Sequence, residues 1–142
     1  MTEEKDRLLV EMYPKMFTNR DKSIVESPLA FGFEHEDGWY QLLDTLCHFL
    51  QFQTDNNHYP QVIADQVKEK FGVLNFYYHT EEIEHPNPRR NDGFLDGAIE
   101  FAQSMSAHIC EICGLPGETR SFHGWLQTLC PTHTKEREER KG

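Results

Sequence analysis

Apolar residues recur at helical spacing at the start of the chain. Over residues 3–17 they fall on one stripe, which predicts an N-terminal helix that packs on the core. Pro14 lies inside this stretch, and we expect it to kink or shorten the helix because proline lacks the N–H that a helix interior needs. The apolar positions of the stripe are Leu8, Leu9, Met12, Tyr13, Met16 and Phe17.

The same spacing predicts two further helices. Asp37 is a suitable N-cap for a helix that runs to about Gln53, and Cys47 adjoins its apolar face. A single cysteine in such a place is typical of a small core residue rather than of a reactive thiol. The next helix opens at Asp92-Gly93. The apolar residues of the two helices are Trp39, Leu42, Leu43, Leu46, Phe49 and Leu50, followed by Phe94, Leu95, Ile99, Phe101, Ala102 and Met105.

Residues 59–79 have two interpretations. In the first, a strand turns at Phe71-Gly72 into a second strand, with its two lysines on the solvent side. Residues 73–79 are rich in β-branched and aromatic side chains, which predicts a strand in either case. In the second, the density of Glu and Lys indicates a helix over residues 60–72. We favour the hairpin.

Three segments lack a regular period. Residues 19–28 are polar and predict a connection, and residues 29–33 predict a short strand or extended segment with its phenylalanines on one side. Residues 80–91 contain two prolines and charges of both signs, which is typical of a solvated loop. The Arg89-Arg90 tip of this loop is a candidate for a specific contact. Taken together, the elements predict an α+β protein with small helices packed on a short antiparallel sheet or hairpin.

The C-terminal part of the chain contains two closely spaced pairs of metal-binding residues. Cys110 and Cys113 form the first pair, and Cys130 and His133 form the second. Each pair can supply two ligands from one turn, and the residues between the pairs are long enough to bring the turns face to face. Three thiolates and one imidazole would fill every position of a tetrahedral Zn²⁺. The sequence therefore predicts one structural zinc ion, with no position left for water or substrate.

The residues around these ligands indicate how they are held. Gly114 permits a tight turn after Cys113. Residues 118–122 and 125–129 predict two short strands that turn at His123-Gly124. Pro131 follows Cys130 and is favoured at the first position of a helix. The order of ligand turn, hairpin and ligand-bearing helix resembles a treble-clef zinc finger.

Other interpretations of the cysteines remain open at this point. Cys110 and Cys113 could form a redox pair, but that chemistry does not need a second pair at matched spacing. Disulfides would leave Cys47 without a partner. Iron could replace zinc, since sulfur ligands accept both metals. His108 and His123 are close enough in sequence to substitute for His133, which we prefer because only His133 completes a pair.

Length and charge divide the chain into two parts. We predict an acidic α+β body over residues 1–107 and a zinc-finger segment over 108–142, joined without a linker and packed as one cooperative unit. The net charge is −10, and residues 1–107 account for all of it, with 19 acidic and 9 basic residues. Because phosphate neutralisation supplies most of the affinity for nucleic acid, this balance disfavours a nucleic-acid partner. It favours a protein partner with a basic surface.

Several features predict where the protein works. No stretch approaches the ~20 apolar residues of a membrane span, so we expect a soluble protein with no membrane partner. The N-terminus shows no apolar signal segment. Cysteines in a metal site suit a reducing cytoplasm. We therefore expect a cytoplasmic location.

A second metal site is conceivable in Glu34-His35-Glu36-Asp37. These side chains include ligands suited to a divalent cation. Adjacent residues cannot all point at one ion, however, and no partner cluster is obvious elsewhere in the sequence. We therefore expect these residues to serve the structure instead.

Three stretches resemble a family of small zinc-binding proteins from bacteriophages and prophages. They are residues 31–40 (Phe-Gly-Phe-Glu-His-Glu-Asp-Gly-Trp-Tyr), residues 67–78 and the motif from Cys110 to His133. The similarity extends from about residue 8 to residue 133. It implies a phage accessory protein with a C-terminal treble-clef-like finger that works in a bacterial host cytoplasm, and it assigns no catalytic residue. The chain departs from the family pattern at His35, where relatives often have cysteine.

These features leave three classes of function. The first is an interaction protein that binds and modulates a host or phage protein, for example as an inhibitor of a bacterial defence or regulatory system. The second is a nucleic-acid-binding regulator that uses the finger. The third is a treble-clef-type nuclease, which would need a general base such as His123, yet no paired carboxylate, nucleophile elbow or phosphate-binding glycine loop is evident. The basic residues available to the second class are Arg120, His123, Lys135, Arg137, Arg140 and Lys141.

Overall fold

A computed structural model describes residues 1–21, 29 and 32–140. Expectations for residues 22–28, Phe31 and Lys141 lie outside these ranges. Within them the protein is α+β, as predicted, with helices and two antiparallel hairpins. The helices are α1 (Glu3–Met12), α2 (Tyr40–Asn57), α3 (Phe94–Ser106) and α4 (Pro131–Glu139), and the strands are β1 (Gln61–Lys70), β2 (Val73–Glu81), β3 (Glu118–Phe122) and β4 (Trp125–Leu129). Short 3-10 helices cover Thr18–Asp21 and Asp37–Trp39.

Helix α1 is shorter than predicted and ends before Pro14. Its last turn is followed by Tyr13 in a non-helical conformation, as expected for a residue that precedes proline. The predicted helix over residues 3–17 was therefore wrong beyond Met12, and the expected shortening at Pro14 is confirmed. Leu8 and Met12 of the stripe are 41% and 57% exposed. The other stripe residues are buried: Leu9, Tyr13, Met16 and Phe17.

The connection after α1 begins in the core rather than in solvent. Asn19 is buried within the 3-10 helix, and its Nδ2 donates a hydrogen bond to the Ala64 carbonyl at 3.3 Å. The prediction of a polar connection from residue 19 was therefore wrong at its start. Leu29 and Phe33 are both buried. The predicted strand or extended segment over residues 29–33 was wrong at its start, because Leu29 is in a 3-10 conformation and its carbonyl accepts a hydrogen bond from the Gly32 N–H at 2.8 Å. Pairing with β1 begins at Glu34.

Asp37 does not cap α2, which corrects the sequence prediction. A 3-10 helix separates Asp37 from the first residue of α2. The Asp37 carboxylate instead accepts a hydrogen bond from the Thr2 N–H at 2.9 Å and faces Lys5 at 3.4 Å. The Asp37 side chain thus stabilises the start of α1. Helix α2 continues past Gln53 to Asn57, and Cys47 is fully buried on it, as predicted.

Residues 59–79 form the predicted hairpin, and the helical interpretation of residues 60–72 was wrong. Lys70 pairs with Val73, so the turn consists of Phe71 and Gly72, both with positive φ (55° and 84°). This is the geometry of two-residue turns that match the twist of the strands. The hairpin has one irregularity, between Ala64 and Gln66.

Neighbouring elements cover both edges of this two-stranded sheet. On the β2 side, Ser106 Oγ accepts from the Leu74 N–H and Gln103 Oε1 accepts from the Phe76 N–H, both at 2.8 Å. On the β1 side, Glu34 exchanges backbone hydrogen bonds with Val67 and Glu69 at 2.9 Å. An isolated hairpin is marginally stable. These contacts and the packing of α2 and α3 on the sheet therefore stabilise it.

The apolar face predicted for α3 is only partly buried. Leu95, Ile99 and Ala102 are in the core, as expected. Phe94 and Phe101, by contrast, are 44% and 69% exposed. The helix buries a narrower stripe than its sequence indicates, because one side of α3 faces α2 and β2 and the other faces outward.

The body contacts the C-terminal segment directly. Trp39 is fully buried and its Nε1–H donates to the Ile109 carbonyl at 2.9 Å. The Gly38 N–H donates to the Glu111 carbonyl at 2.7 Å, and Thr128 Oγ1 donates to the Gly72 carbonyl at 2.6 Å. That the two parts unfold as one unit stays a prediction.

Candidate metal centre

Cys110 and Cys113 lie on a tight turn after α3. The turn is closed by hydrogen bonds from the Cys110 N–H to the Leu115 carbonyl (2.7 Å) and from the Gly114 N–H to the Cys110 carbonyl (2.9 Å). Gly114 has a φ of 82°, a conformation that side chains rarely adopt. The turn therefore brings both thiols to one side, as the sequence predicted.

The second pair lies at the start of α4. Cys130 occupies the N-cap position, Pro131 is the first helical residue, and the Cys130 Sγ accepts a hydrogen bond from the His133 N–H at 3.4 Å. The Cys130 side chain thus satisfies one of the N–H groups that are left without a partner at the start of a helix. The prediction of a helix that starts at Pro131 is confirmed.

The hairpin of β3 and β4 carries the second pair back to the first. Its strands have the predicted bounds, and it turns at His123 and Gly124, with φ values of 55° and 85°. The Glu111 N–H donates to the Thr128 carbonyl at 3.0 Å, so the end of β4 runs beside the first ligand turn. The four candidate ligands meet as a result.

The ligand atoms of Cys110, Cys113, Cys130 and His133 all lie within 4.8 Å of one another. The Cys113 and Cys130 sulfurs are 3.7 Å apart, and His133 Nδ1 is 3.2 Å from Cys130 Sγ and 3.5 Å from Cys110 Sγ. A tetrahedral ion with ordinary zinc–ligand bond lengths requires separations of about 3.8 Å between sulfurs and about 3.6 Å between sulfur and nitrogen. The four residues therefore fit one metal ion.

The imidazole of His133 faces the sulfurs with Nδ1. Its other nitrogen, Nε2, lies 3.9 Å from a carboxylate oxygen of Glu136, one turn further along α4. Metal-bound histidines commonly direct their second nitrogen at such a group, which orients the ring. At 3.9 Å the contact is longer than a hydrogen bond, so Glu136 lies near the ring without fixing its orientation.

The thiols influence one another strongly. Burial by itself raises the pKa of Cys110, but the N–H groups of Cys130, Cys113 and Ile112 outweigh it and lower the pKa to about 7. Burial raises the pKa of Cys113 to about 11, and the neighbouring Cys110 and Cys130 add to the rise. One thiolate forms readily and further negative charge is opposed. A bound cation would relieve this repulsion, since coordinated thiols are deprotonated.

Apolar side chains shield the inner side of the cluster. Cys110 and Cys130 are buried among Phe122, Leu129 and Ile112, whereas Cys113 is exposed and His133 is half-buried. The donor set suits zinc, and sulfur ligands also accept iron. The cluster is therefore a site that can hold a metal ion.

The alternative ligands lie outside the cluster of described residues, and the clustered cysteines form no disulfide. In the described part of the chain, neither His108 nor His123 belongs to a group that could hold a metal ion. All four cysteines are free thiols, and the 3.7 Å between Cys113 and Cys130 is far longer than the ~2.05 Å of a disulfide.

Comparisons with known proteins give no match. No family model, curated protein or solved structure matches this chain. The resemblance to phage proteins therefore stays a prediction, and the interpretation of the site depends on its geometry.

No helix among residues 1–21, 29 and 32–140 has both the length and the apolarity needed to cross a bilayer.

Glu111 lies between the two cysteines of the first pair, and the sequence pattern did not predict its role. It is buried, and its Oε2 accepts a hydrogen bond from the Glu36 N–H at 3.2 Å. Burial raises its pKa to about 7, and the carboxylates of Glu69 and Glu36 contribute to the rise. Because an acidic residue inside a ligand turn is ordinarily solvated, no local signal indicated this contact.

The segment Glu34-His35-Glu36-Asp37 does not converge on a second site among the described residues. Glu34 and Glu36 are exposed, whereas His35 is 5% exposed and lies beside the rings of Phe33 and Trp39. Its Nδ1 is 2.8 Å from the Glu36 carbonyl, to which it can donate, and its Nε2 is buried without a partner. His35 belongs to the core of the body.

The burial of His35 predicts a loss of stability in acid. Burial lowers its pKa from 6.5 to about 4, against the hydrogen bond to Glu36, which favours the charged form. The unfolded chain therefore binds more protons between these two pH values. As the pH falls from 6.5 to 4, the folded protein should lose on the order of 2–3 kcal/mol through this group.

Urea unfolding of the wild type and of His35→Gln across this range measures the effect. Metal loss in acid occurs in both proteins and cancels in the difference. The exposed His123→Asn variant, at a turn position where asparagine is tolerated, is the control and should follow the wild type. A His35→Gln variant with the same pH dependence as the wild type contradicts the prediction.

Proposed function

We propose that this protein is a phage accessory protein that binds and modulates a host or phage protein in the bacterial cytoplasm. A structural Zn²⁺ held by Cys110, Cys113, Cys130 and His133 would stabilise the fold that presents the binding surface. An inhibitor of a bacterial defence or regulatory system fits this description. The resemblance of residues 8–133 to phage proteins supports the setting.

The donor set supports a structural ion. Four side chains from this chain suffice for tetrahedral coordination, and three of their separations, 3.2, 3.5 and 3.7 Å, are close to those it requires. Catalytic zinc sites generally keep a position for water or substrate. Zinc is preferred over iron because three thiolates and one imidazole on a turn and a helix start are its common structural ligands.

The observation that carries the proposal is the division of charge. Residues 1–107 hold 19 acidic and 9 basic residues, while residues 108–142 hold five of each. An acidic surface steers a basic partner and repels phosphate. A protein partner with a basic surface therefore suits the body better than a nucleic acid does.

Affinity purification of the tagged full-length protein from bacterial cells tests the proposal. We expect a partner in fixed ratio that co-elutes on size exclusion and is released at high salt, since exposed charge pairs are screened. An unrelated tagged protein of similar net charge is the control, because it removes partners held by charge alone. Persistent absence of a stable partner in infected and uninfected cells would refute the proposal.

The nucleic-acid alternatives have less support from the finger itself. Arg120 is paired with Glu118 at 2.8 Å, and the guanidinium of Arg137 lies 5.6 Å from the centre of the Phe122 ring. Two of the predicted contact residues are thus engaged within the finger. At a low salt concentration of about 50 mM, where phosphate contacts are strongest, we expect no measurable binding to duplex or single-stranded DNA. Tight binding that weakens steeply with salt would favour a regulator, and metal-dependent cleavage a nuclease.

A further inference from the structure

An open apolar groove runs between α2 and α3. It has a volume of about 570 Å³, and none of its lining residues is charged. Its walls include Leu42 and Phe49 from α2 and Phe94, Ala98 and Phe101 from α3. Phe101 is the most exposed of these rings, at 69%. Contiguous exposed apolar surface of this kind commonly marks a binding site.

The rings that form one end of the groove are held in place from within the protein. Phe94 stacks on Tyr59 with ring centres 5.1 Å apart, and its ring centre lies 5.8 Å from that of Phe49. Tyr59 is itself buried and carries the guanidinium of Arg89 over its ring, 5.5 Å from the centre. This end of the groove is therefore preorganised, which reduces the entropic cost of binding.

Gly97 keeps the groove open. It lies within α3, where glycine is less favourable than alanine. A Cβ atom built there meets no atom of residues 1–21, 29 or 32–140 within 4 Å, so packing within this part of the chain does not require glycine. A bound backbone or side chain that approaches α3 closely would require it.

Charge indicates the chemistry of the occupant. Helices α2 and α3 contain neither lysine nor arginine, and none of their acidic residues lines the groove itself. On α2, Asp44 accepts a hydrogen bond from the Tyr13 hydroxyl and Asp55 lines a different cavity, so the charge relevant to the groove is that of α3. Asp96 and Glu100 are exposed and directly precede Gly97 and Phe101. A second copy of this chain would bring like charges together, which costs free energy. A partner with basic residues beside its apolar side chains would not.

We propose that the groove between α2 and α3 binds an amphipathic helix of a protein partner, with an apolar stripe in the groove and lysine or arginine on its flanks. This mode places anchors at helical spacing along a groove. The inference rests on the proposed function and specifies its binding surface. It also gives Phe101 the position of a central anchor contact.

A labelled synthetic peptide tests the groove in the full-length, zinc-loaded protein. The probe is a fluorescein-labelled helix of leucine and lysine with the leucines on one stripe, and binding is followed by fluorescence anisotropy. A scrambled peptide of the same composition controls for charge alone. A peptide with glutamate in place of lysine tests the sign of the flanks. We expect the first peptide to bind at least about tenfold more tightly than either control.

Three variants locate the binding. Phe101→Gln should weaken peptide binding by about tenfold or more. Phe71→Gln removes an equally exposed ring (71%) from the distant hairpin turn and should leave binding unchanged. Gly97→Ala should weaken binding while raising the melting temperature. That combination separates occupation of the groove from damage to the fold.

Several results would overturn the inference. They are equal losses for Phe101→Gln and Phe71→Gln, unchanged binding in Gly97→Ala, or equal affinity for the glutamate peptide. Self-association that Phe101→Gln abolishes, without peptide binding, would assign the groove to a second copy of this chain. A cellular partner that Phe101→Gln still retains would refute the groove and leave the proposed function intact. Peptide binding that depends on the groove, without any cellular partner, would support the groove and refute the proposed function.

Discussion

Replacement of Cys110, Cys113 or Cys130 by serine is expected to release the metal ion and to loosen residues 108–140. Binding and folding are coupled at such sites, because the ligands lose their fixed positions when the ion leaves. Loss of a residue that only hydrogen-bonds to a metal ligand weakens metal affinity by about 10- to 100-fold. Loss of a ligand itself should therefore weaken it further. Elemental analysis of the purified variants measures the stoichiometry.

Cys47 provides the matched control for this experiment. It is fully buried in the body and is not one of the four clustered residues. Cys47→Ala should therefore keep one ion per chain, although it loses some core packing. Hydrogen exchange should show fast exchange confined to the C-terminal segment in the serine variants. If these variants retain stoichiometric metal, the ligand assignment is wrong.

Gly38→Ala is expected to destabilise the protein strongly. A Cβ at this position would overlap the carbonyl oxygens of Cys110 and Glu111. These are backbone atoms, so no change of rotamer relieves the clash. The substitution must separate the body from the ligand turn, and it also disturbs the hydrogen bond between the Gly38 N–H and Glu111. We expect a loss of more than about 3 kcal/mol in the free energy of unfolding.

Gly97→Ala is the control for Gly38→Ala. It makes the same chemical change inside a helix, where a Cβ meets open space, and should stabilise the protein by roughly 0.5–1 kcal/mol. Denaturant unfolding monitored by far-UV circular dichroism measures both. A loss below about 1 kcal/mol for Gly38→Ala would contradict the close contact. Coincident unfolding of residues 1–107 and 108–140 in the wild type would support a single cooperative unit.

Local features of the C-terminal segment could be predicted closely. The bounds of β3 and β4, the turn at His123-Gly124 and the start of α4 at Pro131 all agree with the structure. Each depends on residues within a few positions of one another. A turn with positive φ, a proline at the first helical position and ligands three residues apart all have their physical cause in the local backbone.

Predictions that depended on distant contacts were less successful. Asp37 had the chemistry of an N-cap, but its carboxylate instead accepts a hydrogen bond from the Thr2 N–H and forms an ion pair with Lys5. Asn19 belonged to a polar segment, yet it is buried because the Ala64 carbonyl of β1 accepts its amide hydrogen bond. In each case the partner is distant in the sequence and leaves no trace in the local pattern.

Residue type and short-range spacing were enough to predict which four residues can meet around one ion, where the hairpins turn and that the body is acidic. The contact of Gly38 with the ligand turn, the burial of Glu111 and His35, and the position of Phe101 at an open groove could be seen only after the helices and hairpins were packed together. Burial of these residues depends on which surfaces meet when the helices pack on the sheet, and the periodicity of a single helix does not specify that.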